Sequence, residues 1–365
     1  MKYLRMPIEI ESPEQMGYSS IACNLTESSV SDAVYKELSF DLKDLIFCYG
    51  HHLGKPELRE LIAAEHSGIA ADDVLLTAGA ASALFICNTT LLEPGDELLV
   101  MHPNYGTNIE TPRAIDCKVN FIELEMEHNF RINWKQLEQQ IHPATKLISV
   151  TSPHNPTGMM LTQEELEKLI ELAEKNKCYL LVDETYRDIP FEKPLALAAA
   201  RSEAVISVSS VSKAYGLPGL RIGWLITKNK NLMEKFLAAK EQINICNSVV
   251  DEEMAFQFLR EKEKHIQKIK THIDENFRVL KNWLEHQNSF EYILPQGGVV
   301  CFPRLKADVN VEAFYQLLNQ KYSTYVGPGH WFEMSKRYCR IGFGWPSKQE
   351  LTQGLQNISK VLKEI

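Results

Sequence analysis

Between Asp72 and Ile226 short apolar runs trade places with amphipathic ones. Val74-Leu75-Leu76, Leu98-Leu99-Val100, Val119 to Leu124, Leu147 to Val150, Tyr179 to Val182 and Val205 to Ser209 are short and almost wholly apolar. They read as buried strands, and Arg221 to Ile226 reads as another. Between them, Ala80 to Leu92, Asn108 to Ile115, Trp134 to Ile141 and Gln163 to Lys175 carry helical patterns. This alternation predicts an α/β fold with a mostly parallel sheet flanked by helices on both faces. In such sheets ligands bind beyond the carboxyl ends of the strands.

The flanks read differently. Residues 1–48 are mixed, with Ser31 placed to cap a short helix running to about Phe40. Pro56 suits the first turn of a helix that continues to His66. Asn229 to His286 is helical in pattern, and the Lys- and Glu-rich stretch from Glu252 to Glu285 reads as a solvated helix face. Turn and strand follow at Gln296 to Pro303, helix at Val311 to Gln320, strand at Tyr338 to Phe343, and a last helix at Leu351 to Leu362. The expected organisation is a large domain over 49–274 and a smaller α/β domain made from 1–48 and 275–365.

Composition adds constraints. With 365 residues, 44% of them hydrophobic, the chain is an ordinary globular one with length for two domains. A net charge of −9 argues against nucleic-acid and anionic-membrane partners. No apolar run approaches the ~18 residues of a membrane span. Met1 to Gln15 has no apolar core of the kind a signal peptide needs. The eight cysteines are scattered, without a Cys-x-x-Cys pair, and read as reduced thiols of a cytoplasmic protein. The histidines show no zinc spacing, so no metal is expected.

The chemistry-bearing residues fall at strand ends. After Val205 to Ser209 comes Lys213, set among small residues on a loop delivered by the sheet. Desolvation there lowers an amine's pKa and makes it a nucleophile toward carbonyls. Ser210, Ser212 and Arg221 supply hydroxyls and a forked cation, both suited to phosphate. After Val74 to Leu76, the turn Gly79-Ala80-Ala81 opens a helix whose N–H groups suit an anion. After Tyr179 to Val182 stands Asp183, an acid that is costly to bury unpaired. Arg340, a cation among apolar residues near the C-terminus, needs an anion.

Ser-x-Ser-Lys-x-x-Gly-x-x-Gly-x-Arg-x-Gly, from Ser210 to Gly223, resembles the cofactor-lysine signature of the class I/II aminotransferases, the fold-type I pyridoxal 5'-phosphate (PLP) enzymes. The resemblance extends in order from about Asn24 to Phe343. It implies that Lys213 carries PLP as a Schiff base and that Asp183 pairs the pyridine nitrogen. It implies that Tyr105, in His102-Pro103-Asn104-Tyr105, stacks on the ring. Asn155, in Asn-Pro-Thr-Gly, and Tyr186 would meet the phenolic oxygen. Gly79, Ala80, Ala81, Ser210, Ser212 and Arg221 would hold the phosphate, and Arg340 would clamp the substrate carboxylate. Tyr49, in Tyr-x-x-x-x-Gly-x-x-x-Leu-Arg, matches a tyrosine that reaches the partner's cofactor, which implies a homodimer.

The function so implied is transfer of an amino group between an L-amino acid and a 2-oxo acid. The same cofactor residues also serve PLP-dependent lyases and cyclases of the capreomycidine-synthase type, and the motifs do not separate these. A PLP-sensing regulator would carry a helix-turn-helix, for which this arrangement leaves no room. No arginine occurs between Arg221 and Arg260, so the distal clamp of aspartate-specific relatives is not expected. Glu27, and less directly Glu241, are the candidate side-chain contacts. An acid there would favour a basic or neutral substrate over a dicarboxylate. Lys240 reads as solvated.

Overall fold

The computed structural model describes residues 1–189, 191 and 194–365. Its centre is a seven-stranded sheet. From edge to edge the strands are Val74–Thr77, Gly223–Ile226, Val205–Ser210, Tyr179–Asp183, Thr145–Thr151, Glu97–His102 and Lys118–Glu123. Gly223–Ile226 runs antiparallel to both of its neighbours, and the remaining pairs are parallel. Alternate residues of each strand face opposite layers. Leu75, Leu98, Leu147, Leu181 and Ile206 pack with Ile86, Ile109 and Phe236, while Val74, Leu99, Ile148, Leu180 and Val205 pack with the layer that includes Leu58, Leu166 and Leu169. Burial on both faces explains why these strands are continuously apolar in sequence.

The helices stop and start where local chemistry dictates. Gln163–Asn176 begins at a reciprocal cap, in which the Thr162 hydroxyl accepts from Glu165 N and the Glu165 carboxylate accepts from Thr162 N. Its buried residues, Leu166, Leu169, Ile170 and Ala173, form one stripe. The long helix Lys262–Glu285 buries Ile266, Ile273, Leu280 and Leu284 and leaves its charged face in solvent. Asn276, fully buried within it, donates to Phe343 O and Pro346 O, both at 2.8 Å. That tethers the helix to the chain just beyond Arg340.

A second sheet has the order Cys23–Leu25, Thr324–Pro328, Cys339–Gly342, Val300–Cys301. Leu25 and Ile358 are both fully buried, and Gly354 of the final helix, Lys348–Glu364, packs directly on Leu25. N- and C-terminal segments thus share one layer.

Some sequence expectations fail. No helix runs from Ser31 to Phe40; only a single 3₁₀ turn forms, at Tyr35–Glu37. The polar groups a helix would use are committed elsewhere. Val30 N donates to Lys213 O, Ala33 N to Gly216 O, and the Ser31 hydroxyl to Trp345 O. Lys240 is fully buried instead of solvated, and its amine donates to the His52 carbonyl at 2.5 Å. The cysteines are all unpaired; the expectation that they are core thiols fails at Cys48, which is exposed. Among the described residues no helix is long and apolar enough to cross a membrane.

Candidate active site

The lysine loop is the link of a hairpin. Val205–Ser210 and Gly223–Ile226 are adjacent and antiparallel, and Ser210 pairs with Gly223. Residues 211–222 therefore leave and rejoin the sheet at one point. Thr77 also pairs with Gly223, which brings the turn before Ala80 alongside. Gly79 sits at φ +81°, a conformation that side chains disfavour, and caps the helix Ala80–Leu91. A Cβ on Gly223 would lie 2.5 Å from Gly79 C and 2.6 Å from Ala80 N, while one on Gly79 would strike the Arg221 guanidinium. The two glycines thus open a backbone cradle beneath a cation.

A cavity of about 410 Å³ lies at the carboxyl ends of Thr145–Thr151, Tyr179–Asp183 and Val205–Ser210. It gathers most of the predicted site. Ala80, Ala81, Tyr105, Asn155, Asp183, Tyr186, Ser210, Ser212, Lys213, Arg221, Arg340 and Glu27 all line it, and Gly79 adjoins it through Arg221 and Gly223.

The charges are arranged in opposition. Burial pushes the Lys213 amine below its ordinary value, with Arg340 and Arg221 adding to the effect and Glu27 opposing it. Asp183 is buried at the end of its strand. Burial raises its carboxyl even though Oδ1 accepts from Thr185 Oγ1 at 2.6 Å and Thr185 N at 3.1 Å. No cation contacts Asp183 among the described residues. A protonated ring nitrogen in the cavity would compensate it.

Arg340 is 4% exposed and has no carboxylate partner among the described residues. Its Nη1 donates to Asn155 Oδ1 at 3.0 Å and its Nη2 to Thr26 O at 2.6 Å, while Nε has no acceptor. The guanidinium lies 5.0 Å from the Phe332 ring centre. A guanidinium has five N–H donors, so three await a partner.

Two candidates stand outside the cavity. Tyr49 is 81% exposed and reaches nothing in its own chain's site. Glu241 approaches His52 on the surface. Other wall residues escaped the sequence reading. Thr185 had a local signal, a hydroxyl two residues after a buried acid. Glu9, Glu14 and Trp331 had none, because their approach depends on how the N-terminal segment packs.

The model of the family Aminotransferase class I and II matches residues 20–358. The chain belongs to the class I and II aminotransferases. Within this family it is 29% identical to capreomycidine synthase of Streptomyces vinaceus over 88% of this chain and 82% of that one. It is 27% identical to an aspartate aminotransferase of Pyrococcus horikoshii over 86% and 83% of the two chains. A PLP-dependent aminotransferase from Streptococcus suis superposes with a TM-score of 0.92 at 27% identity, covering 100% of this chain and 99% of the other. The fold is accordingly fold-type I, and the cofactor is PLP. The cavity fits that group, having a glycine-opened cradle under Arg221, a buried carboxylate without a cation, and an amine held below its usual range.

Proposed function

We propose that the protein is an aminotransferase that moves an amino group between an L-amino acid and a 2-oxo acid. One observation carries this reading. Lys213, Asp183 and Arg340, which has no carboxylate partner among the described residues, converge on one cavity of about 410 Å³, an amine, an acid and an anion receptor.

The residues divide the work. The N–H groups of Ala80 and Ala81, the hydroxyls of Ser210 and Ser212, and Arg221 would hold the phosphate. Tyr105 would lie against the ring, Asn155 and Tyr186 would meet the phenolic oxygen, and Asp183 would pair the ring nitrogen. When bound, PLP supplies an electron sink for the pair left on the substrate α-carbon. Arg340 takes the α-carboxylate in its free N–H groups and orients the α-hydrogen. Lys213 Nζ would accept that proton and hand it back, and its burial favours the neutral amine that the first step needs. Tyr186, Trp331 and Leu84 supply the apolar part of the wall around this exchange.

We also propose a homodimer. Ile46, Phe47 and Tyr49 are 74%, 84% and 81% exposed, an apolar strip that a second copy would cover, with Tyr49 of each reaching the other's phosphate. The proposed domains remain 49–274 and 1–48 with 275–365.

Similarity to capreomycidine synthase favours a second reading, a lyase or cyclase using the same residues. Holoenzyme given an amino acid and no 2-oxo acid separates the two. One equivalent of product per site supports transamination, and continuous turnover supports elimination or ring closure.

A further inference from the structure

The charges lining the cavity do not balance. Its cations are Lys213, Arg221 and Arg340, and each has a task in the reading above. Of its carboxylates only Asp183 has one. Glu9, Glu14 and Glu27 remain, and none contacts a cationic side chain among the described residues. Lys213 and Arg340 act on Glu27 only through space.

Glu27 is held in place, and Glu9 and Glu14 stand exposed on a backbone segment that is itself fastened. Arg340 Nη2 grips the carbonyl of Thr26, so Glu27 begins one residue from the proposed α-carboxylate clamp. Gly342 fixes it from behind, since a Cβ there would run into the Glu27 carbonyl. Glu27 Oε1 accepts from Tyr18 OH at 3.2 Å, and Tyr18 stacks on Trp345 with ring centres 5.5 Å apart. Glu9 and Glu14 belong to the short helices Pro7–Glu11 and Pro13–Met16, which cross the cavity mouth. The segment is fastened by Lys2 N to Ala114 O at 3.0 Å, and by Glu11, which accepts from His330 at 2.7 Å and Trp331 Nε1 at 2.8 Å. Trp331 and Ile8 supply apolar wall nearby. Glu27 is raised by burial first and by Glu14 second, so the two carboxylates repel across the space between them.

We propose that Glu27 and Glu14, with Glu9 at the rim, select amino acids whose aliphatic side chain ends in a cation, an ammonium or a guanidinium. This rests on the reading of the cavity as an amino-acid site. Arg340 anchors the carboxylate, the apolar wall takes the methylenes, and the acids take the charge that they otherwise lack. A dicarboxylate would meet like charge at the same place.

The test uses holoenzyme and charge-matched pairs, L-arginine against L-citrulline and L-lysine against L-norleucine, with L-aspartate as a third class. The cofactor absorbance is followed under single-turnover conditions. Calorimetry on PLP-loaded Lys213→Ala protein gives binding without turnover. The basic member of at least one pair should exceed its neutral partner by about tenfold or more in kcat/KM or affinity. In Glu14→Gln/Glu27→Gln that ratio should fall to within about threefold. Equal handling of charged and neutral partners, a lead for aspartate, or an unchanged ratio in the variant would overturn the proposal. Transamination of a neutral or acidic donor at a rate equal to or above that of both basic ones would overturn it while leaving the aminotransferase reading intact. Tight, selective binding of the basic member without amino transfer would do the reverse.

Discussion

Replacing Arg340 tests the arrangement most directly, because its effects on activity and on stability should diverge. The guanidinium is buried, carries no ion pair among the described residues, and uses two donors on Asn155 and Thr26. A carboxylate held in a fork receives two charge-assisted hydrogen bonds, each worth about 1.5–3 kcal/mol. Arg340→Lys keeps the charge and one such bond. It should lower kcat/KM by about 10- to 150-fold, since each ~1.4 kcal/mol is tenfold. Arg340→Met removes both bonds and should cost about 100-fold or considerably more. The same Met variant also relieves the protein of an uncompensated buried charge, which is itself unfavourable. Asn155 Oδ1 and Thr26 O face a cavity that water can enter, so they are not left stranded. Its thermal midpoint should therefore stay within a few degrees of the parent, a change of about 1 kcal/mol for a chain of this size. The assay is single-turnover kinetics across substrate concentration, paired with thermal denaturation of the apoprotein. A Met variant within threefold of the parent would show that Arg340 is a structural residue. So would a variant that unfolds before it can be assayed, and Arg340→Lys then separates the two causes.

Three further outcomes follow from the geometry. Burial depresses the Lys213 amine, so the reactive neutral form appears at lower pH than for a free lysine. The rate of PLP capture by apoprotein should rise with pH and level off clearly below the ordinary 10.5, and a plateau at that value would refute the desolvation argument. His154 is held down to about 3 by burial, and its Nδ1 bonds Thr157 Oγ1 at 2.8 Å. Between about 3 and 6.5 the unfolded chain binds a proton there that the folded one does not, so folding weakens as pH falls through that window. Compared with His154→Leu, the parent's unfolding free energy should fall by up to about 1.4 kcal/mol more per pH unit, and parallel denaturation profiles would refute this. Phe47→Asp places a charge in the exposed strip, and sedimentation should show more monomer with weaker PLP binding; a monomeric parent with full PLP affinity would refute the interface.

Local chemistry made much of this protein legible in its sequence. A buried strand must be apolar on both faces, so the strands of the large sheet announced themselves, and the polar residues that interrupt them marked the strand ends where Lys213, Asp183 and Asn155 cluster. The loop from Ser210 to Gly223 combined small residues, hydroxyls and two cations in a spacing that names its family. Tertiary structure decided what depends on distant partners. Ser31 to Phe40 has the composition of a helix, but Ala33 N bonds Gly216 O and the Ser31 hydroxyl bonds Trp345 O, just after Val30 N bonds Lys213 O, and these hold the chain extended there. Lys240 looks like a surface residue until the His52 carbonyl meets its amine in the interior. Most of all, Glu9 and Glu14 lie about 200 residues before Lys213 in a segment without a motif. The fastening of Lys2 to Ala114 and of Glu11 to His330 and Trp331 turns them into a wall of the site. A periodic pattern reports which face of an element is buried, but not which remote carboxylates will share a cavity with it. That is fixed by packing between segments whose sequences carry no record of each other.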